Sequence, residues 1–295
     1  MGKFFIIFAW RRSDMGANGF CRGKKHNNFL TYFLLSIFSV FMLFPFLWMF
    51  LTALKNQNQI LQVPPVIFPH PIMWSNFREA LTQLPFGRAY WNSTVIAVFG
   101  VSFFVLTSLM SAYAFSKIKF PLRDKIFNFL LISLMIPFQV TMVPVLMIMK
   151  GLNLNNTLGS CIIYSVFANT YGVFMLRQFI RGIPNDLIES AIIDGCGHLR
   201  IFASIIIPLT KTAISALVIF NFKSNWNNFM QPLVFIGSME KYPVPMLLFM
   251  YQGRYTSRLD LTMAAAAIAI LPILIVYILF QRNIIEGIAF TGIKN

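Results

Sequence analysis

The chain has 295 residues, of which 57% are hydrophobic and only 11% are charged, and its formal net charge is +15. Soluble domains carry about a quarter of charged residues, so this composition excludes an ordinary soluble protein and indicates a membrane protein with several spanning helices. The positive charge is scattered in short segments between apolar runs, which excludes a basic nucleic-acid-binding face and is typical of loops that orient a chain in a membrane.

The N-terminal segment precedes the long apolar runs. We predict that residues 1–28, which hold six Lys and Arg, form a basic cytoplasmic tail. The apolar core after Met1 is too short to span a membrane, and no small-residue cleavage pattern follows it. Met15 is an alternative start of the chain. Residues 29–295 are then a single transmembrane domain.

Six apolar segments are predicted to cross the membrane as helices, which gives an all-α, polytopic helix bundle. They cover residues 29–54, 91–116, 126–149, 158–176, 209–235 and 261–281. Three prolines inside the third and sixth segments can kink or hinge their helices, or can serve static packing: Pro137, Pro144 and Pro272.

The distribution of Lys and Arg predicts the topology. Sixteen of them fall in the tail, the second and fourth connections and the C-terminus, against seven in the other three connections. Cytoplasmic segments carry this excess, so we expect both termini on the cytoplasmic side of a multi-pass protein. The connections 55–90 and 236–260 then face outward.

The connection between the fourth and fifth spans concentrates charge in the stretch ESAIIDGCGHLR. Asn185 and Asp186 suit the start of a helix, and Gly195 and Gly197 suit its end. A second helix leads to Pro208 at the entry of the fifth span. The sequence therefore predicts a short helix, a tight turn and a second helix on the cytoplasmic side.

Catalytic interpretations of this stretch fail on geometry. Glu189 and Asp194, five positions apart on one helix, point in different directions and make a poor acid–base pair. The GCGHLR segment lacks the third glycine of a dinucleotide fingerprint, and Asp194 with His198 lacks a third metal ligand. An ordinary surface helix and a small-faced helix, with Ser190 and Ala191, that docks into a soluble partner remain open.

The fifth predicted span carries a polar stripe. Its members recur at helical spacing or lie at the edge of the stripe: Asn221, Ser224, Asn225, Asn228 and Gln231. Such a stripe either lines a water-filled path or forms hydrogen bonds between helices. Trp226 either stacks on a solute or packs, and Lys223 projects away from the stripe.

From about residue 29 to the C-terminus the chain resembles the permease subunits of carbohydrate-type ABC importers, close to the maltose-transporter permeases. Their EAA loop, E-A-A-x-x-D-G followed by I-x-L-P, is matched by Glu189, Ser190, Ala191, Asp194, Gly195 and Pro208. Serine replaces the second residue of that pattern, a change of one small residue for another. Further segments along the chain match other signatures of the family, in the family's order, among them SAYAFSKIKFP, MIPFQVTMVPVLMIMKGLNLNNTLG, WNNFMQPLVF and QRNIIEGIAFTGIKN.

The resemblance implies a transport subunit in a prokaryotic inner (plasma) membrane. The EAA helix would seat in a cytoplasmic ATPase subunit, and the chain, which has no phosphate loop, would bind no cofactor and leave ATP hydrolysis to that partner. A second, usually different permease and an extracytoplasmic solute-binding protein are the other implied partners, besides membrane lipid. The cargo would be a sugar or sugar-like solute, for which the amides of the stripe are suitable hydrogen-bonding groups.

A secondary transporter or channel is the alternative function. It would need no cytoplasmic docking helix, and it would usually show inverted repeats or titratable groups at membrane depth. The sequence has no convincing internal repeat, and Lys223 is its one charged residue deep in a predicted span. An importer subunit is therefore the favoured interpretation.

Overall fold

The computed structural model describes residues 28–167, 169–254 and 258–291. The predicted tail, up to residue 27, and the last four residues of the C-terminal signature lie outside the described residues. Within the described ranges the chain is helical and has no strand. The predicted all-α class is confirmed for this part of the chain.

Sixteen α-helices follow one another in the described ranges. They are α1 (Asn28–Ala53), α2 (Gln57–Leu61), α3 (Ser75–Gln83), α4 (Phe86–Lys117), α5 (Arg123–Ile132), α6 (Phe138–Gly151), α7 (Leu158–Phe167), α8 (Thr170–Arg181), α9 (Asp186–Ile193), α10 (His198–Ile201), α11 (Ile207–Leu209), α12 (Lys211–Trp226), α13 (Met230–Phe235), α14 (Val244–Arg254), α15 (Leu259–Ala269) and α16 (Leu271–Thr291). Two 3₁₀ turns, Ser133–Met135 and Met239–Lys241, and a π-helical turn, Phe202–Ile206, complete the structure.

The chain divides into two compact units, Met1–Pro45 and Phe46–Asn295. The described part of the first unit is the greater part of α1, an uncharged apolar helix in which Phe29 stacks on Phe33 with ring centres 6.3 Å apart. The second unit holds all the other helices and every residue of the sites below.

Among the described residues, three helical segments are long and apolar enough to cross a membrane: Phe29–Ala53, Phe86–Lys117 and Leu259–Gln281. They match the first, second and sixth predicted spans. The second begins several residues earlier than expected, because the polar stretch before Trp91 is already helical. The last contains a short break at Ile270, next to Pro272.

The third and fourth predicted spans coincide with bent pairs of helices, and the bent pair that overlaps the fifth reaches back into the predicted helix before Pro208. Arg123–Met135 and Phe138–Gly151 meet at 106° beside Pro137, which cannot donate a backbone hydrogen bond. The pair Leu158–Phe167 and Thr170–Arg181 is bent by 40°, and the pair His198–Leu209 and Lys211–Trp226 is bent by 78°. The described residues thus hold up to six spans, if each bent pair counts as one.

The core of the second unit is built around α4, which packs against α7, α8 and α12. At one end of α4 a cluster of buried side chains includes Phe86, Leu247 and Tyr251. At its other end a second cluster joins α4 and α8 to residues of α9. The short helix α9 is therefore attached to the end of the bundle by its own buried face.

Candidate functional site

The helix–turn–helix predicted after the fourth span is present. α9 is followed by a turn in which Gly195 takes a left-handed φ of 80°. The N–H of Cys196 donates to the carbonyl of Ala191 at 2.9 Å, and the N–H of Gly195 donates to that of Ile192 at 3.0 Å. This pair of bonds is a Schellman cap, in which the left-handed residue is usually glycine. The glycine thus fixes the exit of the chain from α9.

The start of α9 is held from outside rather than by its own cap. The Asn185 side chain makes no capping hydrogen bond to the helix, and its Oδ1 instead accepts from Nζ of Lys117 at 2.7 Å. The same Nζ donates to the carbonyl of Ile183 at 2.5 Å. The last residue of α4 therefore ties the segment before α9 to the bundle.

α9 has a buried face and an exposed face. Ile188 and Ala191, the latter 8% exposed, belong to the buried cluster at this end of the bundle. Glu189 and Asp194 are exposed, and Ile193 is 84% exposed. Of the two residues of the predicted small docking face, Ala191 is thus buried within this chain, and the docking role itself stays a prediction.

The remaining residues of the EAA pattern lie on the surface. The exposed Ser190 hydroxyl donates to the carbonyl of Leu187 in its own helix at 3.2 Å. Pro208 is exposed in the one-turn helix α11, immediately before the 78° bend into α12. The structure gives their positions and leaves their predicted role in docking as a prediction.

The polar stripe of the fifth span is shorter than predicted. α12 contains Asn221, Ser224 and Asn225 and ends at Trp226. Asn228 and Gln231 lie beyond that end, where Oδ1 of Asn228 accepts from the N–H of Gln231 at 3.2 Å and begins α13. The prediction continued the helical spacing past Trp226, where α12 ends, and so assigned these two residues to the wrong helix.

Asn225 joins helices, as one of the two open interpretations of the stripe expected. Its Oδ1 accepts from Oγ of Ser165 on α7 at 2.9 Å, and its Nδ2 donates to Oδ1 of Asn221 at 2.8 Å. Gly100 of α4 faces this contact, and a Cβ there would lie 3.4 Å from Oδ1 of Asn225. The amide therefore bonds α12 to α7 where α4 passes closely.

Asn221 and Ser224 line an open cleft of about 370 Å³. Its other walls are Phe104, Leu217, Phe220 and Tyr171. Tyr171, which the sequence analysis missed, is 48% exposed at the start of α8. The signal for it was the polar Asn-Thr pair just before it, which interrupts the fourth apolar segment. The cleft thus combines hydroxyl and amide groups with aromatic rings.

Trp226 packs in the core. It is 2% exposed, and its Nε1 donates to the carbonyl of Ala269 at 2.9 Å. Its ring stacks on that of Phe222 at 5.8 Å between centres. Of the two open interpretations the geometry supports packing, because the ring does not line the cleft. The Lys223 side chain is exposed on α12.

The opposite end of the bundle carries tightly bonded loops. Arg258 donates to both oxygens of Glu79 on α3 at 3.2 Å and to Oδ2 of the buried Asp260 on α15 at 3.0 Å. The hydrogen bond with Asp260 raises the pKa of this guanidinium further above its usual range.

Nδ2 of Asn92 on α4 donates to the carbonyls of Glu240 and Tyr242 at 2.9 and 3.1 Å. Both predicted outward connections are thus fixed to helices.

A bundle of helices long and apolar enough to cross a membrane, with a polar cleft on its flank, is the architecture of a multi-pass membrane protein. The chain belongs to the family "Binding-protein-dependent transport system inner membrane component", whose profile matches residues 105–289. It is a membrane permease subunit of a binding-protein-dependent transport system, and the alternative of a secondary transporter or channel is not favoured.

Individual relatives agree with this family. The chain is 32% identical over 258 residues to the arabinooligosaccharides transport system permease protein AraQ of Halalkalibacterium halodurans, covering 85% of this chain and 91% of that protein. It is 29% identical over 272 residues to the probable starch degradation products transport system permease protein AmyC of Thermoanaerobacterium thermosulfurigenes, covering 92% and 99%.

A solved structure shares the fold. A chain of a bacterial ABC transporter involved in the import of the acidic polysaccharide alginate superimposes with a TM-score of 0.75 at 22% identity, over 90% of this chain and 99% of that one. Membership in an ABC importer permease family implies separate ATPase subunits and a solute-binding protein.

Proposed function

We propose that this chain is one permease subunit of an ATP-driven sugar importer, and that α9 is the helix that docks on the cytoplasmic ATPase. The observation that carries the proposal is the two-faced geometry of α9. Ile188 and Ala191 fasten it to the bundle, while Glu189, Asp194 and Ile193 are left exposed at its tip. A rigidly attached, partly apolar surface of this kind can pass movement from a soluble subunit to the spanning helices.

The docking role is tested by charge reversal of Glu189. In Glu189→Arg, we expect co-purification of the ATPase subunit and solute-stimulated ATP hydrolysis to fall by at least about tenfold, because misplacing one charge at an interface costs several kcal/mol. Glu240→Arg is the matched control for co-purification of the ATPase, since its carboxylate is also exposed but lies at the other end of the bundle. Equal co-purification in the two variants would contradict the proposal. The same purification reports whether a second, different permease accompanies the chain.

The proposal also fixes the orientation, with both termini and α9 in the cytoplasm. In a variant whose native cysteines are replaced by serine, a cysteine at position 189 should react with a membrane-impermeant maleimide in inside-out vesicles and resist it in intact cells. A cysteine at position 240 should behave in the opposite way. Labelling of position 189 from the outside would reject the orientation.

The cleft beside α12 is proposed to form part of the translocation path. Asn221 and Ser224 offer hydrogen-bonding groups, and Tyr171 and Phe220 offer rings, the combination that suits a polyhydroxylated solute. None of the residues that line it is charged, which favours a neutral sugar. Relatives named for starch degradation products and for arabinooligosaccharides agree with a carbohydrate cargo.

The openness of this cleft supports a second permease subunit. Phe220 and Ser224 are exposed on the flank of the isolated chain. A polar path open to lipid would leave polar groups without partners, so another membrane subunit has to close it. The importer then has two permeases, two sites for the ATPase, and an outer face formed by connections 55–90 and 236–260 on which the solute-binding protein docks.

The path is tested by sugar uptake through the reconstituted transporter. In Tyr171→Ala and Asn221→Ala we expect uptake to fall roughly fivefold each, because a stacked ring or a hydrogen bond contributes about 1 kcal/mol. Ser102→Ala is the control, since that exposed hydroxyl bonds only to the carbonyl of Val98 in its own helix. A panel of radiolabelled sugars measured with and without ATP identifies the cargo. Uptake unchanged in both cleft variants would place the path elsewhere.

A further inference from the structure

A basic surface surrounds the turn between α4 and α5, beside α9. Its cations are Lys117, Lys119, Arg123, Lys125 and Arg181, and we call this set the basic turn. Two neighbouring clefts of about 680 and 490 Å³ open on it, and Lys119 and Arg123 line both. The basic turn therefore borders two open clefts, each large enough to admit a phosphate group.

The acidic groups nearby do not balance this charge. Asp124 pairs with Arg123 at 3.2 Å and with the nearly buried Arg177 at 3.1 Å, so it is already shared between two guanidiniums. Glu189 is the carboxylate that lines the larger cleft. Lys119 and Arg181 have no ion-pair partner within the described ranges. Both cations are thus available to a ligand.

An exposed apolar side chain stands at the tip of the same turn. Leu122 is 62% exposed and has a left-handed φ of 60°, a conformation that non-glycine residues rarely adopt. Exposed apolar side chains continue from it along α5, including Phe129, which is 74% exposed. Cations that flank an apolar tip are typical of a segment that meets the bilayer surface, where the apolar group enters the acyl region and the cations reach phosphates.

We propose that the basic turn binds the phosphate group of an anionic phospholipid of the cytoplasmic leaflet, with Lys119 and Arg181 as ligands and Leu122 inserted among the acyl chains. A protein partner is less suitable here, because the exposed apolar side chains of α5 continue from the turn into a bent helix pair that is apolar enough to cross a membrane. The proposal rests on the proposed orientation, which places the turn on the inner side, and not on the identity of the cargo.

The position of the site connects it to α9. Nζ of Lys117 holds the segment before α9 through Ile183 and Asn185, and Glu189 lines the same cleft as Lys119 and Arg181. A phosphate bound between the turn and the end of α8 would neutralise the cations that face Glu189 and hold the base of the docking helix in place. Anionic lipid is therefore expected to raise the ATP hydrolysis that solute stimulates.

The experiment uses the complete transporter, this chain with its partner permease and ATPase, in nanodiscs of phosphatidylcholine with or without phosphatidylglycerol. Native mass spectrometry measures phosphatidylglycerol retained by the complex, and ATP hydrolysis is measured on the same preparations. In the double variant Lys119→Gln, Arg181→Gln we expect retention to fall about tenfold or more, because each cation near the surface contributes to attraction of anionic lipid. Lys211→Gln, an exposed cation of α12 that lies outside both clefts, is the control and should retain lipid normally.

Two further measurements determine whether the bound phosphate comes from a lipid and whether Leu122 contributes to lipid binding. Inorganic phosphate added to phosphatidylcholine nanodiscs should not replace phosphatidylglycerol in stimulating ATP hydrolysis, and Leu122→Ser should weaken retention without removing a cation. Retention equal to the control in the double variant would overturn the proposal, as would full replacement by inorganic phosphate, which would indicate a site for a soluble anion. Outside labelling of position 189 would reject the orientation itself, which separates that failure from failure of the lipid site.

Discussion

Gly172 lies where α8 packs tightly against α4. A Cβ built on it would lie 2.4 Å from Oγ of Ser108 and 2.9 Å from the ring of Phe104, and Phe104 also forms a wall of the cleft. Real side chains do not approach so closely, so a larger residue here forces these two side chains or the helices that carry them to shift. The glycine thus sets both the packing of the bundle and the shape of the cleft.

We therefore expect Gly172→Ala to destabilise the protein by about 1–3 kcal/mol, the usual cost of overpacking a filled core. Thermal unfolding of the purified complex measures the loss. Gly87→Ala is the matched control, because Gly87 is also helical, in α4, and a Cβ there meets nothing within 4 Å. A Gly172 variant as stable as the control would mean that the contacts between α4 and α8 can rearrange without cost.

For single residues, the sequence predicts the local backbone conformation better than it predicts burial or contact partners. Gly195 could be predicted because a left-handed helix end favours glycine whatever packs around it. The burial of Ala191 and of Trp226 could not, since each depends on helices far away in the chain. Asn225 looked like a path residue by its spacing, yet its oxygen is used by Ser165, sixty positions earlier.

Among the elements, the apolar runs predict how many times the chain can cross a membrane and fail to predict where the helices bend. A run such as 126–149 carries enough hydrophobicity for one span, and hydropathy cannot distinguish a straight helix from two helices that meet at 106°. The presence of a proline does not by itself predict where a helix breaks either. Pro137 stands at that break, whereas Pro144 lies inside α6 with the helix continuing past it.

The ion pairs of Arg258 join two elements, α3 and α15. Replacing it with glutamine leaves Asp260 buried without its cation, so Arg258→Gln should lower the free energy of unfolding by about 1–3 kcal/mol. Proteolysis of the outer connections and thermal unfolding both report the loss. The double variant Arg258→Gln, Asp260→Asn removes the buried charge and should recover part of it. If the double variant were no better than the single one, the charge of Asp260 would not be the cause.

For the whole molecule, the proposed docking of the binding protein on the connections 55–90 and 236–260 can be tested through the hydrogen bonds that fix the second of them to α4. Asn92→Leu removes both amide hydrogen bonds from α4 to Glu240 and Tyr242, so we expect stimulation of ATP hydrolysis by the loaded binding protein to fall about fivefold, which corresponds to about 1 kcal/mol. Hydrolysis without binding protein should change little. Thr94→Val is the control, since its hydroxyl bonds to the carbonyl of Tyr90 in the same helix. Equal stimulation in both variants would show that the connection is not needed.

One helix reaches both ends of the bundle. α4 has 32 residues and is about 48 Å long at 1.5 Å per residue, well beyond the roughly 30 Å of hydrocarbon in a bilayer. Near one end Asn92 and Ser93 form hydrogen bonds with the connection 236–260, and at the other Lys117 holds the approach to α9. In the proposed orientation, this continuous helix can transmit a displacement directly between the docked solute-binding protein and the ATPase.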